Sequence, residues 1–233
     1  MQNFLISFLL VLTMYFAQYF TQLSADGGQH GTVPPAGRIL VIGDSLTSGL
    51  YVSHEQASFV SRLGELTGLK IARRHASNLR SATDTWAEVK VWSPSIIVLE
   101  IGLNDVSKGV TADGEWQNRY SALVADMKAS GATVVVCTMF WAGIREDHAN
   151  YNRYLRYNEM ISHAARTHEA LVADLWSSTI GCDECISRAE QLSYFAPHYH
   201  GDNFHPSDIG HEIIARTIYG EIDSEVYLPS LVN

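Results

Sequence analysis

Cysteine and positive charge are both in short supply. The chain holds three cysteines in 233 residues. Cys182 and Cys185 stand together in CDEC, but a zinc site there would need two more ligands, and a redox centre would need a thioredoxin-like setting. A local disulfide is the reading that an oxidising compartment favours. Cys137, inside the apolar run TVVVCTMF, reads as a buried, inert thiol. Lysine and arginine total 16 against 25 aspartates and glutamates, a formal charge of −9. The basic residues are scattered, with only Arg73 and Arg74 adjacent. This excludes the clustered basic footprint of a nucleic-acid binder. Internal repeats and further low-complexity tracts are also lacking, which excludes solenoids and arrays.

Charge is missing altogether from the first 25 residues, and Asp26 is the first charged side chain. The apolar heart of this stretch, residues 4–20, is long for the h-region of a signal peptide and short for a spanning helix. No lysine or arginine precedes it. Residues 1–25 therefore read as a signal peptide or as an uncleaved membrane anchor. Either places the remainder outside the cytoplasm, secreted or periplasmic. Residues 26–37 are a Gly/Pro-rich linker. Residues 38–233 are the right length for one domain with a full core.

Within that domain, short apolar runs alternate with longer helical patterns. Strands are expected at 38–43, 69–74, 95–101, 133–139 and 170–175. Helices are expected at 56–67, 84–92, 115–130, 151–168 and 207–222. IIVLEIG and VVVCTM are too apolar for half-exposed strands and suit a parallel sheet covered on both faces. Alternating strands and helices imply right-handed crossovers and a three-layer α/β/α sandwich on a five-stranded parallel sheet. Parallel strands end on the same side, so the turns after the first and third strands should open on one rim.

Three short motifs carry the chemistry. GDSL, at residues 43–46, ends the first strand. GLND, at residues 102–105, follows the third. DNFHP, at residues 202–206, precedes the last helix. A serine hydroxyl needs a base to take its proton, and the base needs an orienting acid. Ser45, His205 and Asp202 supply those three groups, and the side-chain amide of Asn104 supplies a donor for a tetrahedral oxyanion.

In their order and separation these motifs resemble the SGNH (GDSL-type) hydrolases, over about residues 38–222. The resemblance implies a flavodoxin-like sandwich, a Ser-His-Asp triad and no metal or other cofactor. Carried over by position, Ser45 is the nucleophile and an oxyanion donor through its backbone N–H. Asn104 is a second donor, His205 the base and Asp202 its orienter. The family's glycine after the second strand, a third donor, has no counterpart in RRHASNLRSATDTW. Ser81 is its expected stand-in, with Ser77 and Asn78 as the other placements.

The implied function is a serine esterase acting on short acyl esters, chiefly O-acetyl, on carbohydrate or small-molecule substrates. Ser81 and Leu103 are expected to narrow the acyl pocket. Other readings use the same residues. An acyltransferase would pass the acyl group to a sugar hydroxyl, and a lipase or lysophospholipase would take long chains. A metal-dependent hydrolase could draw on His198, His200, His205, His211 and Asp202 in YHGDNFHPSDIGH, but leaves Ser45 and Asn104 without roles. A non-catalytic binding module would keep the fold alone. Residues 139–154, aromatic and charged, read as a rim loop shaping the pocket.

Overall fold

The computed structural model describes residues 37–108, 113–141, 150–180 and 205–225. All lie in a body that runs from Pro34 to Asn233. The leader and linker readings for residues 1–36, the Cys182/Cys185 pair, and His198, His200 and Asp202 lie outside the described residues. So does most of the expected rim loop.

Five parallel strands form one sheet: β1 (Arg38–Gly43), β2 (Lys70–His75), β3 (Ile96–Glu100), β4 (Thr133–Cys137) and β5 (Leu171–Ala173). Their order in space is β2-β1-β3-β4-β5. Chain order reverses between β1 and β3, so the connections on either side of that seam diverge and leave a crevice at the strands' carboxyl ends. The three central strands are almost wholly buried, with Ile39, Val41, Ile42, Ile97, Val98, Leu99, Val134 and Val135 at or near zero exposure. That explains their unbroken apolar sequence. The edge strand β2 is only half-buried and carries Lys70, Arg73 and Arg74, charges that discourage another chain from pairing with it.

The helices are α1 (Phe59–Thr67), α2 (Leu79–Val89), α3 (Leu103–Lys108), α4 (Asp113–Ala129), α5 (Tyr151–His168), α6 (Leu175–Ile180) and α7 (Asp208–Glu225). They form two groups, α1 with α7 and α6, and α2 with α4 and α5. The second group is held by a ring cluster. Trp116 stacks on Tyr120 at 4.8 Å and meets Tyr157 of α5 at 4.6 Å. Rings of this size contribute about 1.5–3 kcal/mol each on burial. The apolar positions Trp116, Tyr120, Leu123, Val124 and Met127 are all buried, as their helical spacing predicts.

Three differences from the sequence reading have local causes. Helix α2 starts five residues earlier than its expected start at Asp84, because Asn78 and Ser81 cap each other reciprocally. Helices α3 and α6 were not expected; each spans six residues, too short for an amphipathic repeat to show. The ends of α1 and α2 carry 3₁₀ turns, at Glu55–Ala57 and Lys90–Trp92. Among the described residues no helix is long and apolar enough to cross a membrane.

Candidate active site

Gly43 ends β1 where there is no room for a side chain. A Cβ there would stand 2.0 Å from Thr47 Oγ1 and 2.7 Å from both the backbone oxygen and Oε2 of Glu100. The chain then turns tightly. The N–H of Ser48 donates to the oxygen of Asp44, and that of Leu50 to the oxygen of Ser45, each at 3.0 Å. This turn lifts Ser45 to the rim. On the neighbouring strand the same rim is reached through Gly102, whose φ of +128° is open to glycine and strained for other residues. Helix α3 begins there and presents Asn104 and Asp105.

Asp44 joins the two turns. Its carboxylate accepts from the Asn104 side-chain amide at 2.9 Å and from the Leu46 N–H at 3.2 Å. Burial raises its pKa above the ordinary value, while those donors and the nearby His205 and His75 oppose the rise. The Asn104 amide carries two N–H bonds, so one remains for a ligand. Asp105 is buried and accepts from the Leu79 N–H at 3.0 Å, tying the start of α2 to the same rim. The N–H of Ala76 donates to the oxygen of Gly43 at 2.7 Å, so the turn after β2 closes on the turn after β1.

His205 arrives from the far end of the chain. Its Nε2 lies 2.9 Å from Ser45 Oγ. Two devices hold it. Ser207 caps α7, accepting from the Gly210 N–H at 3.3 Å, while its backbone oxygen accepts from the His211 N–H at 2.8 Å. Asp208 then binds the segment that follows the Ser45 turn, accepting from the Ser53 N–H at 3.0 Å and from the Ser53 hydroxyl. Those bonds hold the Asp208 carboxyl below its ordinary pKa even though its partial burial works the other way. The ring of Tyr51 meets the His205 ring edge-on at 5.1 Å. Tyr51 has a φ of +67°, a left-handed conformation uncommon outside glycine.

The sequence reading thus brought Ser45, His205 and Asn104 to one rim, and the structure sets them there. Asp202 lies outside the described residues. Ser81 needs correction as an oxyanion donor. It sits in the first turn of α2, and its N–H donates to Asn78 Oδ1 at 2.9 Å, so the cap consumes the hydrogen that an oxyanion would need. The N–H groups of Leu79 and Ala82 are also engaged, by Asp105 and by the oxygen of Asn78. Among the described residues, no acceptor takes the N–H of Arg80. Leu103 is 2% exposed, which removes it from the wall of an acyl pocket. His211 belongs to the packing: its Nδ1 accepts from the Phe59 N–H at 3.2 Å, and its ring stacks on Phe59. Among the described residues no group of three or more His, Cys, Asp or Glu side chains could hold a metal ion.

Ser53 with Asp208, and Glu100 beneath Gly43, are site features the sequence reading missed. Ser53 and Asp208 are 155 residues apart, and neither belongs to a motif.

Comparison with known proteins identifies the family and the fold. The model of the GDSL-like lipase/acylhydrolase family matches residues 41–213. None of the curated proteins matches the chain. Among solved structures it is similar to LAE5, an alpha/beta hydrolase enzyme from the metagenome of Lake Arreo, Spain. The TM-score is 0.67 at 18% identity, over 82% of this chain and 97% of that one. It is also similar to Axe2, an acetylxylan esterase from Geobacillus stearothermophilus, with TM-score 0.65 at 20% identity over 82% and 96% of the two chains. TesA follows with TM-score 0.63 at 14% identity, over 80% and 98%. These likenesses establish the shared fold, and the family match spans most of the domain. With GDSL, GLND and His205 gathered on one rim of a 2-1-3-4-5 parallel sheet, the chain belongs to the GDSL-like lipase/acylhydrolase family and is a carboxylic ester hydrolase.

Proposed function

We propose that Ser45 is the nucleophile of a serine esterase that removes short acyl groups, chiefly O-acetyl, from carbohydrate or small-molecule esters. The observation that carries this reading is the 2.9 Å approach of His205 Nε2 to Ser45 Oγ. At that distance the imidazole can take the hydroxyl proton as the oxygen attacks the ester carbonyl. Asp202 is assigned to orient His205. The oxyanion is assigned to the free N–H of the Asn104 amide and the backbone N–H of Ser45. The Arg80 N–H replaces Ser81 as the third donor. His205 then protonates the leaving alcohol, water attacks the acyl-enzyme, and the acid departs.

The choice of a short acyl group draws on the acetylxylan and acetyl-xylooligosaccharide esterase activities of Axe2. Catalytic mutants of that protein replace a serine and a histidine with alanine. The test pairs a variant with a substrate series. Ser45→Ala should abolish nearly all turnover and all labelling by a fluorophosphonate while keeping the fold. Nitrophenyl esters should be cleaved best at two to four carbons. Wild-type rates in Ser45→Ala would remove the nucleophile, and a preference for eight carbons or more would remove the acetyl substrate class.

A further inference from the structure

Glu100 is an acid where the sheet has no need of one. It ends β3, a strand otherwise made of Ile96, Ile97, Val98 and Leu99, and is 4% exposed. An aliphatic side chain would fill the position without the cost of burying a carboxyl. Its surroundings show where that carboxyl goes. Glu100 stands in register with Gly43, and its Oε2 occupies the space a Gly43 side chain would need. Thr47 Oγ1 donates to Oε2 at 3.1 Å, and the backbone N–H groups of Asp44 and Thr47 face the same carboxyl. Asp44 and Thr47 are each 1% exposed. The carboxyl therefore fills the underside of the turn whose upper side carries Ser45.

The titratable groups near Glu100 are Asp44 on the turn, Cys137 on β4 and Tyr120 on α4. All are acids. Burial pushes the Glu100 pKa well up, and the Asp44 charge pushes it further. Both effects disfavour a second negative charge beside Asp44, and the Thr47 hydroxyl bonds to Oε2 there.

We propose that Glu100 is a positioning residue of the esterase reaction, its carboxyl bracing the Asp44–Thr47 turn from beneath and so fixing Ser45 against His205. This rests on the assignment of Ser45 as nucleophile. Three variants test it: Glu100→Leu, which removes the polar brace at similar size; Glu100→Gln, which keeps an uncharged acceptor; and Thr47→Val, which removes the donor. The readout is kcat per active site titrated with a fluorophosphonate, with KM and circular dichroism alongside.

Glu100→Leu should lower kcat about 10- to 100-fold, the scale of a small misplacement of a reacting group, with KM unchanged. Glu100→Gln should restore most of that loss. Thr47→Val should fall in the same direction, and adding it to Glu100→Leu should cost little more. Wild-type kcat per labelled site in folded Glu100→Leu, or a Gln variant no better than Leu, overturns the proposal. If Glu100→Leu does not fold, wild-type kcat in Thr47→Val overturns it instead. A wild-type enzyme that takes no label at Ser45 overturns the nucleophile assignment itself, an outcome distinct from the others.

Discussion

At the scale of single residues, the site is a set of small polar groups held by bonds that reach between motifs. The Asp44 carboxylate accepts one hydrogen of the Asn104 amide, leaving the other for the proposed oxyanion. Asn104→Ala should lower kcat by about 10²- to 10³-fold, the range for loss of one oxyanion donor, with little change in KM. Steady-state kinetics on a nitrophenyl ester measures it, and an equal fall in binding instead would move Asn104 from the transition state to the ground state. The motif residues were legible because serine, histidine and amide have defined roles in acyl transfer. Glu100 was not, since a lone acid at the end of an apolar run looks the same whether it faces water or the inside of a turn. The fate of the Ser81 N–H was equally hidden, because it depends on which residue caps α2.

At the scale of elements, the strands were legible nearly to the residue. Central parallel strands must be apolar on both faces, and β1 matches its expected bounds of 38–43. The start of α2 was not, because the expected helix rested on the periodic stretch from Asp84 while the helix itself is set by Asn78. That cap matters beyond the helix. The Asn78 side chain accepts from the Ser81 N–H at 2.9 Å, and Ser81 Oγ accepts from the Asn78 N–H at 3.0 Å. Asn78→Ala should cost about 1 kcal/mol of stability, the usual value for a lost N-cap, read as a fall in the urea midpoint. It also frees the Ser81 N–H, so any change in kcat there reports on which first-turn donor faces the oxyanion. A midpoint equal to wild type would mean that the cap contributes nothing.

At the scale of the whole molecule, buried ionisable groups set how stability responds to pH. Burial of His211 in the α1/α7 packing pushes its imidazole from 6.5 down to about 4. Between those values the unfolded chain binds a proton that the folded chain does not, so stability rises with pH through the window and is lost on acidification. The difference corresponds to about 3 kcal/mol. Asp44, Glu100 and Asp105 have raised values and act with the opposite sign. Their folded forms keep protons that the unfolded chain has released, so their stabilisation is present at acid pH and falls as pH climbs past the ordinary carboxyl range. A His211→Gln variant separates the two effects. Between pH 6.5 and 4.5 the wild type should lose more stability than the variant, by urea titration; equal losses would clear His211 of the effect. The 2-1-3-4-5 order itself was legible only through the family resemblance, because strand alternation implies a parallel sheet without fixing which strand lies at the edge.

The partners Ser45 and His205 are separated by 160 positions along the chain, and the last of them enters on the helix that closes the sheet. During synthesis the ribosome therefore releases the serine, its turn and the entire central sheet long before the imidazole emerges. On the proposed assignment a growing polypeptide carries the nucleophile without its base, and turnover should begin only once the final helix has docked.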